Sequence, residues 1–415
     1  MAPNELAETL IPNSKTNDEA ATVSISYDPK LFIQTRISKQ SSSIVAGRPY
    51  YPNLFVDKND VLKSIIYTTL HILFHHGNND VDRLQKDITP TLEVKRVSGG
   101  LTNALYQVSG FSRVIDLDFE SEYDFDSVLV RVFGAEGIID RDVETATFAA
   151  LADNGIAPSY YGRFGNGRLE GFLDNCIPLK LTDFHISETN LEIAVKMAEL
   201  HAGFKVPSEL KEWHNEDEPG LWNQLFSWME QAKSITVYKT NKDNDRARSL
   251  LDLNTMEKEL NWIRSIISDE SVVGFCHNDL LPANVMKHES SGAVKLIDFE
   301  YGGVNFIAFD IANHFNEWAG GPENDEGRTN YDLFPSLEQQ KAFISTYVTT
   351  ISRSNHIDEK KVDLLLNEVK AFVLANHLYW GLWAINQAAI EGTEGFDYFA
   401  YGMNRFNRYF EAKNK

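Results

Sequence analysis

The chain has 415 residues, 43% of them hydrophobic and 24% charged, with 39 Lys and Arg against 60 Asp and Glu and a formal net charge of −21. That composition belongs to a globular protein with a substantial core and more than one lobe. Its acidic balance argues against nucleic acid, which is held mainly by basic groups on phosphates, and no basic run offsets it. Two cysteines, Cys176 and Cys276, are too few for a disulfide framework and point to reduced thiols in a cytoplasmic setting.

Residues 1–22 carry Glu5, Glu8, Asp18 and Glu19 without an apolar core of signal-peptide length, and read as a disordered tail. Residues 23–90 form an N-terminal extension in which Asn59 to His75 has apolar residues at helical spacing. His71 and His75 share a face there; a zinc site would need a third ligand that is not evident, so a packed or solvated helix is expected. His76 to Asp87 is a polar loop. Leu92–Val97, Leu105–Val108 and Val128–Phe133 read as strands. Between the first two lie Ser98, Gly99, Gly100, Leu101, Thr102 and Asn103, a glycine loop whose backbone N–H groups can approach an anion, although on the local sequence alone a plain hairpin loop is the better reading. No Walker A motif is present, and Gly165-Asn166-Gly167-Arg168 fails the dinucleotide pattern because Glu170 stands at the last glycine.

Asp140–Asp153 reads as a helix capped by Asp140, with Val143, Phe148 and Leu151 inward and Gly155 beyond its end. From Asn190 helical patterns dominate, broken by the polar stretch Lys239–Asp245 and by one hairpin. Ala371–Ile390 has no formal charge and is long enough to cross about 30 Å of hydrocarbon. It also carries Asn376, His377, Asn386 and Gln387, each costly in lipid, so no membrane span is expected and a helix buried in protein is the reading.

The most informative stretch is Ser271–Glu300. Val285–His288 and Ala293–Ile297 are strand-like runs joined by Ser290-Ser291-Gly292, with glycine where a left-handed residue is required. If Glu289 faces Ala293, Asn284 lies opposite Asp298 and the two oxygens converge on one sheet face, with Met286 against Leu296; the same register sets Lys287 against Lys295, an unfavourable pair. Asp279 precedes Asn284 by five residues on the loop after Cys276 and His277. In kinases an Asp so placed accepts the hydroxyl proton, an Asn five later binds magnesium, and a second Asp beyond the hairpin binds magnesium that bridges the phosphates. Asp279, Asn284 and Asp298 are therefore the candidate catalytic set, with Asn284 and Asp298 the metal ligands.

Taken together, Ser98–Asn103, Val128–Phe133, Gly167–Glu170, Cys276–Asn284, Leu296–Tyr301, Phe309–Trp318 and Tyr379–Trp383 resemble the choline and ethanolamine kinases, from about Leu92 to the C-terminus. The resemblance implies an α+β, protein-kinase-like bilobal fold: a sheet-rich lobe over 91–173 and a helical lobe over 174–415. It also implies Mg2+ and ATP. Arg131 would take the place of the kinase strand lysine on the ATP phosphates, paired with Glu144 or with Asp142 or Asp140. Glu170, Gly171, Phe172 and Leu173 would form the hinge whose backbone pairs with adenine. Read locally, Asp310 is an N-cap of a helix Ile311–Trp318; the resemblance adds that it braces the catalytic loop.

A small cation needs negative charge and aromatic faces. Glu317 can supply the first, and the resemblance implies Trp380, Trp383, Tyr401 and Tyr301 for the second. Choline offers no N–H donors and ethanolamine three, so an ethanolamine site needs oxygen acceptors more than full aromatic enclosure. After Trp318 the chain reads Ala319-Gly320-Gly321-Pro322 where choline kinases look tyrosine-rich, which favours ethanolamine. The resulting expectation is an ATP-dependent ethanolamine kinase making phosphoethanolamine for phosphatidylethanolamine synthesis. A choline or dual-specificity kinase is the alternative, and an inactive kinase-like scaffold the further one; a homodimer is compatible with either.

Overall fold

The computed structural model describes residues 50–74, 91–97, 103–113, 126–134, 140–322, 327–354, 356–392 and 395–414. The acidic tail, the polar loop 76–87 and the glycine loop Ser98–Thr102 lie outside the described residues.

The first half holds β1 (Tyr50–Tyr51), α1 (Val61–Phe74), β2 (Glu93–Val97), β3 (Asn103–Ser109), β4 (Ser127–Phe133), α2 (Arg141–Asp153), β5 (Tyr160–Phe164) and β6 (Gly167–Gly171). Its six strands make one sheet in the order β1-β5-β6-β4-β3-β2. Only the β1–β5 pair is parallel. Alternation along β4 decides what each face does. Val128 and Val130 point to a core shared with Ile65 and Leu70 of α1, Val108, Phe164 and Leu169; Arg131, next in line, points to the opposite face. His71 packs edge-on to Tyr51 and stacked on Tyr67, with centroids 5.3 and 5.9 Å away, while His75 lies outside the described residues. The failed dinucleotide segment is the β5–β6 turn, where Asn166 exchanges hydrogen bonds with the Val56 backbone at 2.9 and 3.0 Å. Asp140 caps α2 as expected, accepting from the N–H groups of Asp142 and Val143.

The remainder contains β7 (Cys176–Pro178), α3 (Leu181–Phe184), α4 (Ser187–Gly203), α5 (Gly220–Ser234), α6 (Asn241–Leu250), α7 (Leu253–Ile266), β8 (Val273–Cys276), β9 (Val285–His288), β10 (Val294–Leu296), β11 (Gly303–Phe306), α8 (Ile307–Glu317), α9 (Leu337–Ser352), α10 (Glu359–Ile390) and α11 (Tyr398–Lys413). The expected break at Lys239–Asp245 is instead the start of α6, capped by Thr240. A helix that buries only Asp243 has no apolar stripe for a sequence reading to find. At 32 residues α10 runs through the largest core cluster, and among the described residues no helix is long and apolar enough to cross a membrane. Two of the polar groups that made its charge-free stretch costly in lipid are met inside: Asn376 Nδ2 donates to Asn313 Oδ1 at 2.8 Å and Asn386 Nδ2 to the Trp228 carbonyl at 3.0 Å.

The hairpin forms one residue out of the expected register. Lys287 faces Val294, Met286 faces Lys295 and Val285 faces Leu296. His288 and Ala293 close a loop of Glu289–Gly292, with Gly292 at φ +73°. Asn284 consequently pairs with Ile297, whose N–H it accepts at 2.9 Å, and not with Asp298. The shift has a charge rationale: it separates Lys287 from Lys295, the like-charge pair of the expected register.

Candidate active site

The loop leaving β8 is held from beneath by one carboxylate. Helix α8 begins at Ile307, so Asp310 lies in its first turn and is not the N-cap expected from sequence; Phe306 occupies that position. The fully buried Asp310 accepts the His277 N–H at 2.8 Å, the Asn278 N–H at 2.7 Å and His201 Nε2–H at 2.9 Å. Burial pushes this carboxyl up, but the hydrogen bond and charge of His201 outweigh it and hold it below its ordinary value. Bracing matters because Asn278 is left-handed, φ 65°, a conformation a non-glycine residue adopts at a cost. Its side chain adds two ties, donating to the Tyr301 carbonyl at 3.0 Å and accepting from Asn305 at 2.8 Å. His277, fully buried, donates through Nε2 to the Ile297 carbonyl at 2.8 Å and so joins the loop to the end of the hairpin.

Asp279 follows this kink. Asn284, in the turn Pro282–Asn284, donates through Nδ2 to the Asp279 carbonyl at 2.8 Å and to its carboxylate at 3.3 Å. Asp298 is left-handed as well, φ 62° and ψ 60°, which breaks strand alternation just past β10. Its carboxylate meets Arg131 Nη1 at 3.3 Å across the cleft. Burial raises the Asp279 carboxyl well above the usual carboxylate range, and Glu317, Glu300 and Asp298 raise it further. Glu300 is pushed up to about 7, by burial first and then by Asp298. Asp279, Asn284 and Asp298 thus share one partly buried, oxygen-rich, strongly acidic locus despite the shifted register. Such a locus fits a hard divalent cation, which takes oxygen ligands and would relieve this repulsion.

Arg131 reaches the cleft as expected, but its partner differs. Its Nε donates to Glu170 Oε1 at 2.7 Å, whereas Glu144 pairs with Arg168 and Asp142 with Arg163. Strand pairing explains the exchange. Arg131 lies directly opposite Arg168 across β4 and β6, and Glu170 Oε1 bridges the two guanidinium groups, taking Arg168 Nε at 2.6 Å. Burial works against Arg131, yet Glu170 and then Asp298 raise it, so it stays charged. Glu170 thereby contributes its side chain to the arginine pair, while Phe172 and Leu173 lie in the connection from β6 to β7. Of the glycine loop only Asn103 is described; it opens β3, and its Oδ1 accepts from the Gly134 N–H at 3.4 Å.

On the opposite side of Asp279 the aromatic residues gather. Tyr301 packs edge-on to Trp380 at 5.5 Å, Trp380 to Trp383 at 5.4 Å, and Trp383 to Tyr398 at 5.6 Å. Trp383 Nε1 donates to the Tyr301 hydroxyl at 3.0 Å. Glu317 is 2% exposed, and Arg405 Nη1 lies 3.2 Å from it and 3.3 Å from the Tyr401 hydroxyl. Beyond the effect of burial, the charge of Asp279 acts on the hydroxyls of both Tyr301 and Tyr401, so the two arms flank the same carboxylate. Sequence reading missed Arg168, Asn305 and Arg405. Arg405 had a visible signal, four residues after Tyr401 on one helical face; the other two are found only once strands are paired.

A sheet-rich lobe whose strand arginine faces an Asp-Asn-Asp constellation under a helical lobe is the arrangement of a small-molecule kinase with a protein-kinase-like fold. The solved ethanolamine kinase of Plasmodium vivax superposes with a TM-score of 0.68 at 25% identity, covering 90% of this chain and 94% of that one. Probable choline kinase 1 of Arabidopsis thaliana is 35% identical over 78% of this chain and 87% of its own length. Probable ethanolamine kinase A of Dictyostelium discoideum is 32% identical over 78% and 86%. The family model for choline/ethanolamine kinase matches residues 94–410, and the chain belongs to that family. Membership implies ATP as the phosphoryl donor and, in general, a divalent metal.

Proposed function

We propose that the protein transfers the γ-phosphoryl group of ATP to the hydroxyl of ethanolamine, giving phosphoethanolamine. The observation that carries this reading is Glu317, a buried carboxylate beside the aromatic cluster and acting on Asp279. A primary ammonium has N–H donors that need such an acceptor, whereas a quaternary ammonium has none. Among the described residues that follow Trp318, Ala319-Gly320-Gly321-Pro322 supplies no aromatic side chain, which supports the same choice. Gly320 and Gly321 have φ +67° and +132°, and a Cβ on Gly321 would lie 3.0 Å from the Tyr401 ring, so a side chain there would displace Tyr401. Tyr301, Trp380 and Trp383 offer faces that a quaternary ammonium also finds attractive, so slower choline turnover is expected.

In this reading Asp279 orients the substrate hydroxyl and accepts its proton, a task suited to a carboxyl whose surroundings disfavour the anion. Asn284 and Asp298 would hold Mg2+, which supplies neutralisation of the charge developing on the phosphates. Arg131 contacts phosphate oxygens with the guanidinium edge not engaged by Glu170. The residues Ser98–Asn103 cover the phosphates; of the expected hinge Glu170–Leu173, the backbones of Glu170 and Gly171 are taken up in the sheet, which leaves those of Phe172 and Leu173 to pair with adenine.

The test is magnesium-dependent ADP release with ethanolamine, choline and an aminoglycoside in parallel, for the wild type and Asp279→Asn. Ethanolamine should give the highest kcat/KM, and Asp279→Asn should fold yet lose at least about 100-fold in kcat. Choline ahead of ethanolamine would reverse the substrate assignment, near-normal turnover by Asp279→Asn would refute the base, and no release with any acceptor would favour a scaffold.

A further inference from the structure

Arg405 of α11 is wholly buried and does more than answer one carboxylate. Its Nη1 donates to Glu317 Oε1 at 3.2 Å and to the Tyr401 hydroxyl at 3.3 Å, while Nη2 donates to Asn376 Oδ1. Asn376 passes the pattern on: its Nδ2 donates to Asn313 Oδ1 at 2.8 Å, and the same oxygen receives Trp380 Nε1–H at 2.6 Å. Asn316 Nδ2 joins at Asn376 Oδ1, 2.9 Å away.

A guanidinium has donors and no acceptor, so the Asn376 amide must turn its oxygen toward Arg405. Its nitrogen then faces Asn313, which must answer with oxygen, and that oxygen is what the indole N–H of Trp380 finds. Reversing either amide would set donor against donor in a buried site, at the cost of leaving buried polar groups unpaired. One residue therefore holds Glu317 and Tyr401 directly and the Trp380 ring through two amides. These are three of the side chains assigned above to the ammonium.

We propose that Arg405 is the positioning residue of the amine pocket, acting as a donor-only head that orients the Asn376–Asn313 relay and so fixes Trp380, Glu317 and Tyr401 together. The assignment rests on the amino-alcohol kinase reading. It differs from simple neutralisation of Glu317, because it requires the relay as well as the ion pair.

Asn376→Asp separates the two roles. The carboxylate still accepts from Arg405 and leaves the Arg405–Glu317 pair in place, but it cannot donate to Asn313. KM and the calorimetric Kd for ethanolamine should rise about tenfold, the loss of one buried charge-linked hydrogen bond, with kcat and the KM for ATP within about twofold. Arg405→Lys keeps the charge but not the fork, and should shift the same two constants in the same direction. Unchanged amine KM and Kd in Asn376→Asp, or amine and ATP constants worsening in parallel, would overturn the assignment. Wild-type protein that neither binds nor phosphorylates either amine would overturn it together with the functional reading. Wild-type turnover of an amine, matched at equal KM by Asn376→Asp, would overturn the relay alone.

Discussion

Two aspartates meet at one short loop, the half-buried Asp279 within it and the fully buried Asp310 of α8 beneath it, and their surroundings drive them apart. Asp279 is met by a single amide and three other carboxylates, and burial with their repulsion raises it. Asp310 is met by two backbone N–H groups and a histidine, and although burial opposes them they hold it below its ordinary value. The first is poised to take a proton and the second to remain an anion. The sign of the linkage follows for Asp310. Its folded value lies below an unfolded value of about 3.9, so the anion stabilises the fold above that pH, and the contribution is lost as pH falls through the folded value. Asp310→Asn puts an amide N–H group against backbone donors and should lose about 3 kcal/mol at neutral pH, visible as a lower urea midpoint. The gap to wild type should narrow on acidification below about pH 4. An unchanged midpoint at pH 7, or a gap that widens in acid, would show that Asp310 is not the brace described here.

The aromatic wall depends on how two helices cross. In the run Tyr379-Trp380-Gly381-Leu382-Trp383 the glycine is a contact residue: a Cβ at Gly381 would come within 2.4 Å of the Phe406 ring, and one at Gly402 within 3.1 Å of the Gly381 carbonyl. α10 and α11 thus meet backbone to backbone between the two tryptophans. Alanine is about 1 kcal/mol better than glycine in a helix interior, but overpacking here costs about 1–3 kcal/mol, and Phe406 is 2% exposed with little room to yield. Gly381→Ala should therefore lower Tm, and because it pushes α10, which carries Trp380, away from α11, which carries Tyr401, it should raise the KM for the amine more than that for ATP; a higher Tm would mean the crossing is looser than described. The same elements mark what sequence could reveal. The convergence of Asp279, Asn284 and Asp298 was legible from the spacing of the loop and hairpin, and α10 because its apolar run exceeds any loop. The hairpin register was not, since Gly292 permits a loop of three or of four residues; the like-charge pair Lys287–Lys295 was the one local signal against the shorter loop. Nor was the Arg131–Glu170 pair, which depends on β6 lying beside β4, a neighbour that no local pattern announces.

At the scale of the whole molecule the net charge of −21 must serve two substrates of opposite sign. The field of so many carboxylates draws an ammonium in and repels ATP. In the proposed reaction Arg131 and a divalent cation overcome that repulsion locally, and the clustering of Asp279, Asp298, Glu300 and Glu317 explains why the cation would be required as much for the protein's own charge as for the phosphates. Salt separates the near from the far. The Debye length is about 8 Å at physiological ionic strength, so added KCl screens distant surface charge while leaving buried contacts nearly intact. Raising KCl from about 0.05 to 0.5 M at fixed free Mg2+ should raise the KM for the amine a few-fold, and should leave that for MgATP flat or lower it. The two trends must have different signs or slopes, because one field acts on both ligands. If both constants rose in parallel, the attraction of the amine would be confined to its pocket, and the excess charge of the surface would play no part in gathering it.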